Sequence, residues 1–258
     1  MLLWVESQDT PVIILLVFVF CYLLAAFMFA IGALISRLAI GHHVNATTPA
    51  MLTPLGVITG LVIAFLAARV WANVDHAHVY VAQEASEIRQ AVLLTDALPA
   101  DVRAGIRSDI DRYLQFVETE DWPSMLQGHA SLRNLPEGLP EALKTLLAFI
   151  PQQPGQQVAQ DHAARAIENA LQARRDRIVL SQVVIAPAQW AVIFVLDALL
   201  LLTIAMLHVG RHVTTAVNLF ILSTAVAACV VLLMINDRPF GVGGITVLPT
   251  SLHEVHFP

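Results

Sequence analysis

Four long apolar runs, Pro11 to Ile35, Leu52 to Trp71, Val183 to Leu207 and Thr214 to Ile235, alternate with polar stretches. A helix needs about 20 apolar residues to cross a hydrocarbon core, and lipid leaves backbone groups no partner outside a helix or closed barrel. The runs therefore predict four transmembrane helices in two hairpins. The segment between the second and third runs is polar and reads as helical. Ala72 to Leu98 has no Pro or Gly, so the second span is expected to continue as one long helix to Pro99. Short helices follow over Ala100 to Val117, Trp122 to Arg133 and Pro140 to Phe149, punctuated by Pro123, Pro136, Pro140 and Pro151. From Gly155 the helical pattern resumes through Arg177 and into the third span, where Pro187 is expected to kink it.

The predicted architecture is all-α and polytopic. It has a first transmembrane hairpin over 1–71, a helical extramembrane domain over 72–182, a second hairpin over 183–235 and a tail over 236–258. Composition agrees, with 57% hydrophobic and 13% charged residues and a mean hydropathy of +0.69. Membrane lipid is thus a partner. The net charge of −6 comes mainly from 72–182, where fifteen acids face ten basic residues, a balance that excludes nucleic acid. Cys21 and Cys229 both fall inside spans, where a thiol packs as a small hydrophobe.

An even number of spans puts both termini and the helical domain on one side. Arg37 and Arg211 in the two short loops, against two acids and no Lys or Arg in the first ten residues, favour an extracytoplasmic domain by the positive-inside rule. Arg174, Arg175 and Arg177, just before the third span, argue the other way.

Within the second span, Gly56, Gly60, Ala64 and Ala68 recur every four residues. Such a stripe is either a seam for close helix packing or a pore-lining face, and the spacing does not separate them. Asp197 is the one charge in the middle of a span, and an ionisable group there needs a partner or a water-filled path. It reads either as a neutral carboxyl bonded to a neighbouring helix or as an ion or proton relay, with Asn218, Ser223 and Thr224 of the fourth span as companions. No second carboxylate and no His shares its depth, which argues against an intramembrane enzyme. No cofactor motif appears. Metal ligation has only weak candidates: His76 and His78 beside Asp75, and the i, i+4 pair His208 and His212.

Several short motifs carry a resemblance to a known family. They are Thr53, Pro54 and Gly56 opening the second span, Glu84-Ala85 with Ile88 after it, Pro187 and Trp190 in the third span, and the tail Asp237-Arg238-Pro239-Phe240-Gly241. Together they resemble the bestrophin-like family of bacterial membrane proteins, from about Thr53 to Pro249. The resemblance implies four spans with a helical insert, a bacterial inner-membrane location and, by a more distant similarity to bestrophins proper, a homo-oligomer that passes small inorganic ions along its second spans. The chain departs from bestrophins proper in lacking an acidic calcium clasp after the fourth span and an aromatic neck in the second, where Ile63 and Phe65 stand nearest. Calcium gating and chloride selectivity are not carried over. The alternative reading is a non-conducting, membrane-anchored sensor or scaffold whose helical domain binds a partner.

Overall fold

In the computed structural model, which describes residues 10–37, 48–207, 212–241 and 244–255, the chain is all-helical, with no strand among the described residues. The major helices are α1 (Thr10–Arg37), α2 (Thr48–Leu94), α3 (Ala100–Phe116), α4 (Trp122–Leu126), α5 (Leu139–Ala148), α6 (Pro154–Ser181), α7 (Pro187–Leu207) and α8 (His212–Asn236), with a short α9 (Thr250–His253). Helices α1, α2, α7 and α8 are long and apolar enough to cross a membrane. The Cα trace divides into two compact units, 1–72 with 184–237, and 73–183 with 238–258. Residues that the sequence sets apart as a tail belong, from Arg238 onwards, to the second unit.

Helix α2 is unbroken for 47 residues and contributes to both units. Pro54 falls in its second turn, where the missing N–H forfeits only the bond to residue 50, and no further Pro or Gly interrupts it after Gly60. It ends in a single 3₁₀ turn, Thr95–Ala97, before Pro99.

In the first unit, α1 packs on α7 and α8, and α7 packs on α8. Gly32 marks the tightest approach: a Cβ there would stand 2.8 Å from the Ala205 Cβ. Small residues let helix backbones come this close, so the close-packed small-residue seam of this unit joins α1 to α7 rather than involving α2. Helix α2 joins the bundle mainly through Leu66 and Val70.

The expected continuous helix into the third span is not what forms. Helix α6 stops at Ser181, Val183 N–H turns back to the Leu180 carbonyl (3.0 Å), and Pro187 opens α7 as its first residue. At that position its fixed φ suits the helix and its absent N–H is not missed, so Pro187 starts a helix instead of kinking one. The intervening Ile185 N–H is satisfied by both carboxylate oxygens of Asp237, at 2.9 and 3.0 Å.

The second unit is built on a stripe of α2, Ala77, Val81, Ala85 and Ile88, spaced three and four apart and buried. It shares one core with Ile106 and Ile110 of α3, Leu139 and Leu146 of α5, and Ala163, Ile167 and Ala170 of α6. Phe240, Val247 and Leu252 from the carboxyl end close that core. The helix expected over Trp122 to Arg133 is shorter, ending at Leu126, because the chain turns at Gly128 with φ +70°. A second turn, at Gly138 with φ +89°, admits no side chain, since a Cβ would collide with the Asp109 carbonyl oxygen. The Glu141 carboxylate then accepts the Gly138 N–H at 2.8 Å and starts α5.

Candidate functional site

Three features concentrate the chemistry, two in the first unit and one in the second. The first is the membrane half of α2. Of the four candidate spans its apolar window is the least covered by its own chain, 11% buried against 44% for α8. Buried positions are confined to Thr59, Leu66 and Val70, on one side of the helix. The four-residue stripe does not stay on one face. At 3.6 residues per turn each step of four advances about 40°, so the stripe winds by roughly 120° over its length. Gly56 lies half-buried at the edge of the inward side, while Ala64 and Ala68 are exposed together with Val57 and Leu61. Neither Gly56 nor Gly60 has any atom within 4 Å of where a Cβ would sit. They open instead onto a cavity of about 330 Å³, bounded across the gap by Leu200, Ile204, Leu222 and Cys229. The stripe is therefore not a packing seam within this chain.

The second feature is the polar content of the α1–α7–α8 bundle. Asp197 sits on the face of α7 that carries Ile193, Leu200 and Leu201, is fully buried, and has no hydrogen-bond partner at either carboxylate oxygen. Cys21 of α1 shares a buried apolar cluster with Ile193, one turn before Asp197 on α7. The Ser223 hydroxyl of α8 donates to the Cys21 carbonyl oxygen (3.2 Å), so Ser223 shares this neighbourhood. The other two companions expected from the sequence are turned elsewhere. Thr224 bonds to the Phe220 carbonyl (2.7 Å) and the Tyr22 hydroxyl (3.1 Å), and half-buried Asn218 stands five residues, about 140°, around the helix from Ser223.

The third feature was not legible from the sequence as a site. In the second unit the Arg177 guanidinium grips Glu84 through Nε to Oε2 (2.8 Å) and Nη2 to Oε1 (3.0 Å). Arg174, one turn earlier on α6, grips Asp121 at 2.7 and 2.8 Å and also donates to the Asn134 carbonyl (3.2 Å). Tyr113 donates its hydroxyl to Glu84. All five side chains are buried. Asp121 is aimed by a single π-helical turn, Val117–Asp121, between α3 and α4.

Desolvation alone would lower the Arg177 pKa, but Glu84 and the other acidic neighbours carry it above its ordinary value. Burial, then the charge of Glu84, pushes the Tyr113 phenol well above the usual tyrosine range. Trp122 lies under Arg177 at 5.2 Å and takes Phe240 edge-on at 5.7 Å. The tail motif is thus largely structural: Phe240 plugs the core, Gly241 N–H closes a turn on the Arg238 carbonyl (3.0 Å), the Pro239 carbonyl accepts the Val247 N–H, and Asp237 holds Ile185. Arg174 and Arg177, which the sequence reads as membrane-flanking charges, are core residues, and of that run only Arg175 is exposed. The hidden signal was their place, with Ala163, Ala166 and Ala170, on the small-residue face of α6.

The metal candidates do not assemble. His76 and His78 are exposed on α2, His76 stacking on Tyr80; His212 packs against Phe29; and His208 lies outside the described residues. Among the described residues no group of three or more His, Cys, Asp or Glu could hold a metal ion.

Four helices long and apolar enough to cross a membrane, one of them carrying a buried carboxyl, and a second unit knit by ion pairs together describe a polytopic all-α membrane protein. The family model for the Bestrophin-like domain matches residues 13–252, nearly the whole chain, and the protein belongs to that family. Searches of the curated proteins and of the solved structures each returned no match.

Proposed function

We propose that this chain is the subunit of a homo-oligomeric ion channel or channel-like transporter, with the outward face of the second span lining the pathway. The observation that carries the reading is the sparse cover on α2, whose Val57, Leu61, Ala64 and Ala68 are all exposed. Small and apolar side chains there suit a narrow pore that gates by excluding water. Family membership supports the same reading. Neither Thr59, whose hydroxyl bonds to the Leu55 carbonyl (2.8 Å), nor the stripe supplies a charge at this depth, so ion choice is assigned to the ends of the helix.

The test is accessibility. Cysteines placed at Ala64 and Ala68 in a Cys229→Ala background should react with a membrane-impermeant thiol reagent and lose flux on reaction. Thiols that react only with lipid-soluble reagents would mean that the face meets lipid, and the pore assignment would fall.

The same reading puts the second unit and both termini on the extracytoplasmic side of a bacterial inner membrane, a sidedness that Arg37 and Arg211 in the short loops support. A carboxyl-terminal reporter active only in the cytoplasm would reverse that placement. A second reading, an anchored scaffold that binds a partner, is favoured by one observation, the outward-facing Leu135, Leu147, Ile150 and Val158 of the second unit. It predicts no flux from an assembled oligomer.

A further inference from the structure

Asp197 is fully buried in the α1–α7–α8 bundle and neither of its oxygens has a partner. Two turns earlier, on the same face of α7, the indole N–H of Trp190 is also buried and unpartnered. A packed membrane helix rarely carries two such groups in register, because each forfeits a hydrogen bond that apolar surroundings do not replace. An ionised carboxylate in this setting would also lack any counter-charge. Among the described residues, the titratable and charged groups on the packed elements are few. Helix α1 carries Cys21 and Tyr22, the latter already bonded to Thr224, and it ends at Arg37. Helix α8 presents Cys229, which lines the cavity facing α2, and His212 in its first turn against Phe29. Helix α2 presents Arg69, which donates to Gln189 at 3.3 Å, two turns before Asp197. A metal cation is the alternative ligand, but among the described residues no group of three or more His, Cys, Asp or Glu gathers to hold one.

We infer that Asp197 is a proton-binding site, occupied in the packed bundle, and that release of its proton to water loosens the contact among α1, α7 and α8. The packed form holds one proton more than a form in which Asp197 reaches water. By linkage its stability is therefore greatest at low pH and declines as pH rises. The inference does not depend on conduction.

The experiment uses the full chain in lipid nanodiscs. Infrared spectra should show the C=O stretch of a protonated carboxylic acid at neutral pH, where exposed aspartates, with an ordinary pKa of about 3.9, are ionised. The band should shift when aspartate is isotope-labelled at its carboxyl carbon and vanish in Asp197→Asn. Melting temperature should fall from pH about 5 to about 9 in the wild type and change less in the variant. If Asp197→Asn does not fold, Asp197→Glu decides, because its acid band should lose the sensitivity to the aspartate label. No label-sensitive acid band at neutral pH, or an identical pH dependence in the two proteins, would overturn the inference.

Discussion

Arg177 and Glu84, 93 residues apart in the chain, meet in a two-pronged ion pair with neither side chain exposed. Arg177 is also held by Asp121 at 3.5 Å and by the Met125 sulfur at 3.4 Å. A buried pair adds little to net stability because both charges lose their water, but breaking one side strands the other. Arg177→Met is expected to destabilise the second unit by about 3–5 kcal/mol. The double variant Glu84→Leu/Arg177→Met should recover part of that loss, as read by denaturant unfolding. Equal or greater loss in the double variant would mean that the pair is net stabilising.

Tyr113 sets the alkaline limit of the same cluster. Its phenol is pushed well above the tyrosine range by burial and by Glu84, so its neutral form is the one the folded state holds. That contribution is fully present below the unfolded value of about 10 and is lost as pH rises through the higher folded value. Of the three tyrosines, Tyr113 should therefore show no phenolate absorbance near pH 10 while the protein is folded. The Tyr113→Phe variant should leave the ultraviolet titration near that pH unchanged. A reduced amplitude would place Tyr113 in contact with water.

Phe240 tests the part that the tail motif plays. It is 1% exposed and rests edge-on against Trp122, itself beneath Arg177. Truncation to Ala should cost about 3–5 kcal/mol, as for large aromatic residues in other cores, and lower the melting temperature of the second unit. A loss of function with unchanged melting would instead assign Phe240 a direct role.

Gly32 and Gly60 should respond in opposite ways to the same substitution. Gly32→Ala puts a methyl 2.8 Å from the Ala205 Cβ, so α1 and α7 must separate and stability should fall. Gly60→Ala meets nothing and, by helix propensity, should stabilise the isolated subunit by up to about 1 kcal/mol. Unfolding in detergent, at a concentration where subunits are separate, compares the two. Destabilisation by Gly60→Ala there would mean that α2 packs more closely on its own chain than the cavity indicates.

Much of the fold could be read from the chain because lipid imposes a simple rule. Runs such as Pro11 to Ile35 have to be helices of about that length, and the structure places α1 over Thr10–Arg37. The unbroken α2 followed from the lack of Pro and Gly after Trp71. The break before Pro187 was missed because it depends on Asp237, 52 residues away, capping Ile185, a contact with no local signature. The ion-pair cluster was missed for a similar reason. Arg174 and Arg177 read as flanking charges until Asp121 and Glu84 are brought beside them by folding. Among the membrane candidates, Asp197 was visible as a lone charge, but only packing shows that Ser223 is the one that bonds to the Cys21 carbonyl. The four-residue stripe looked like one face because its drift of about 40° per step is small between neighbours and large over its length.

On the proposed reading, the outward face of the second span lines an ion pathway. The most direct test is selective ion flux into liposomes carrying the purified oligomer, with chloride, potassium and sodium gradients and the Ala64→Leu variant alongside. The wild type should carry flux and Ala64→Leu should lose it while still assembled by size-exclusion chromatography. Undiminished flux in a correctly assembled Ala64→Leu oligomer, or no flux from the wild type across the pH range in which it stays assembled, would contradict that reading.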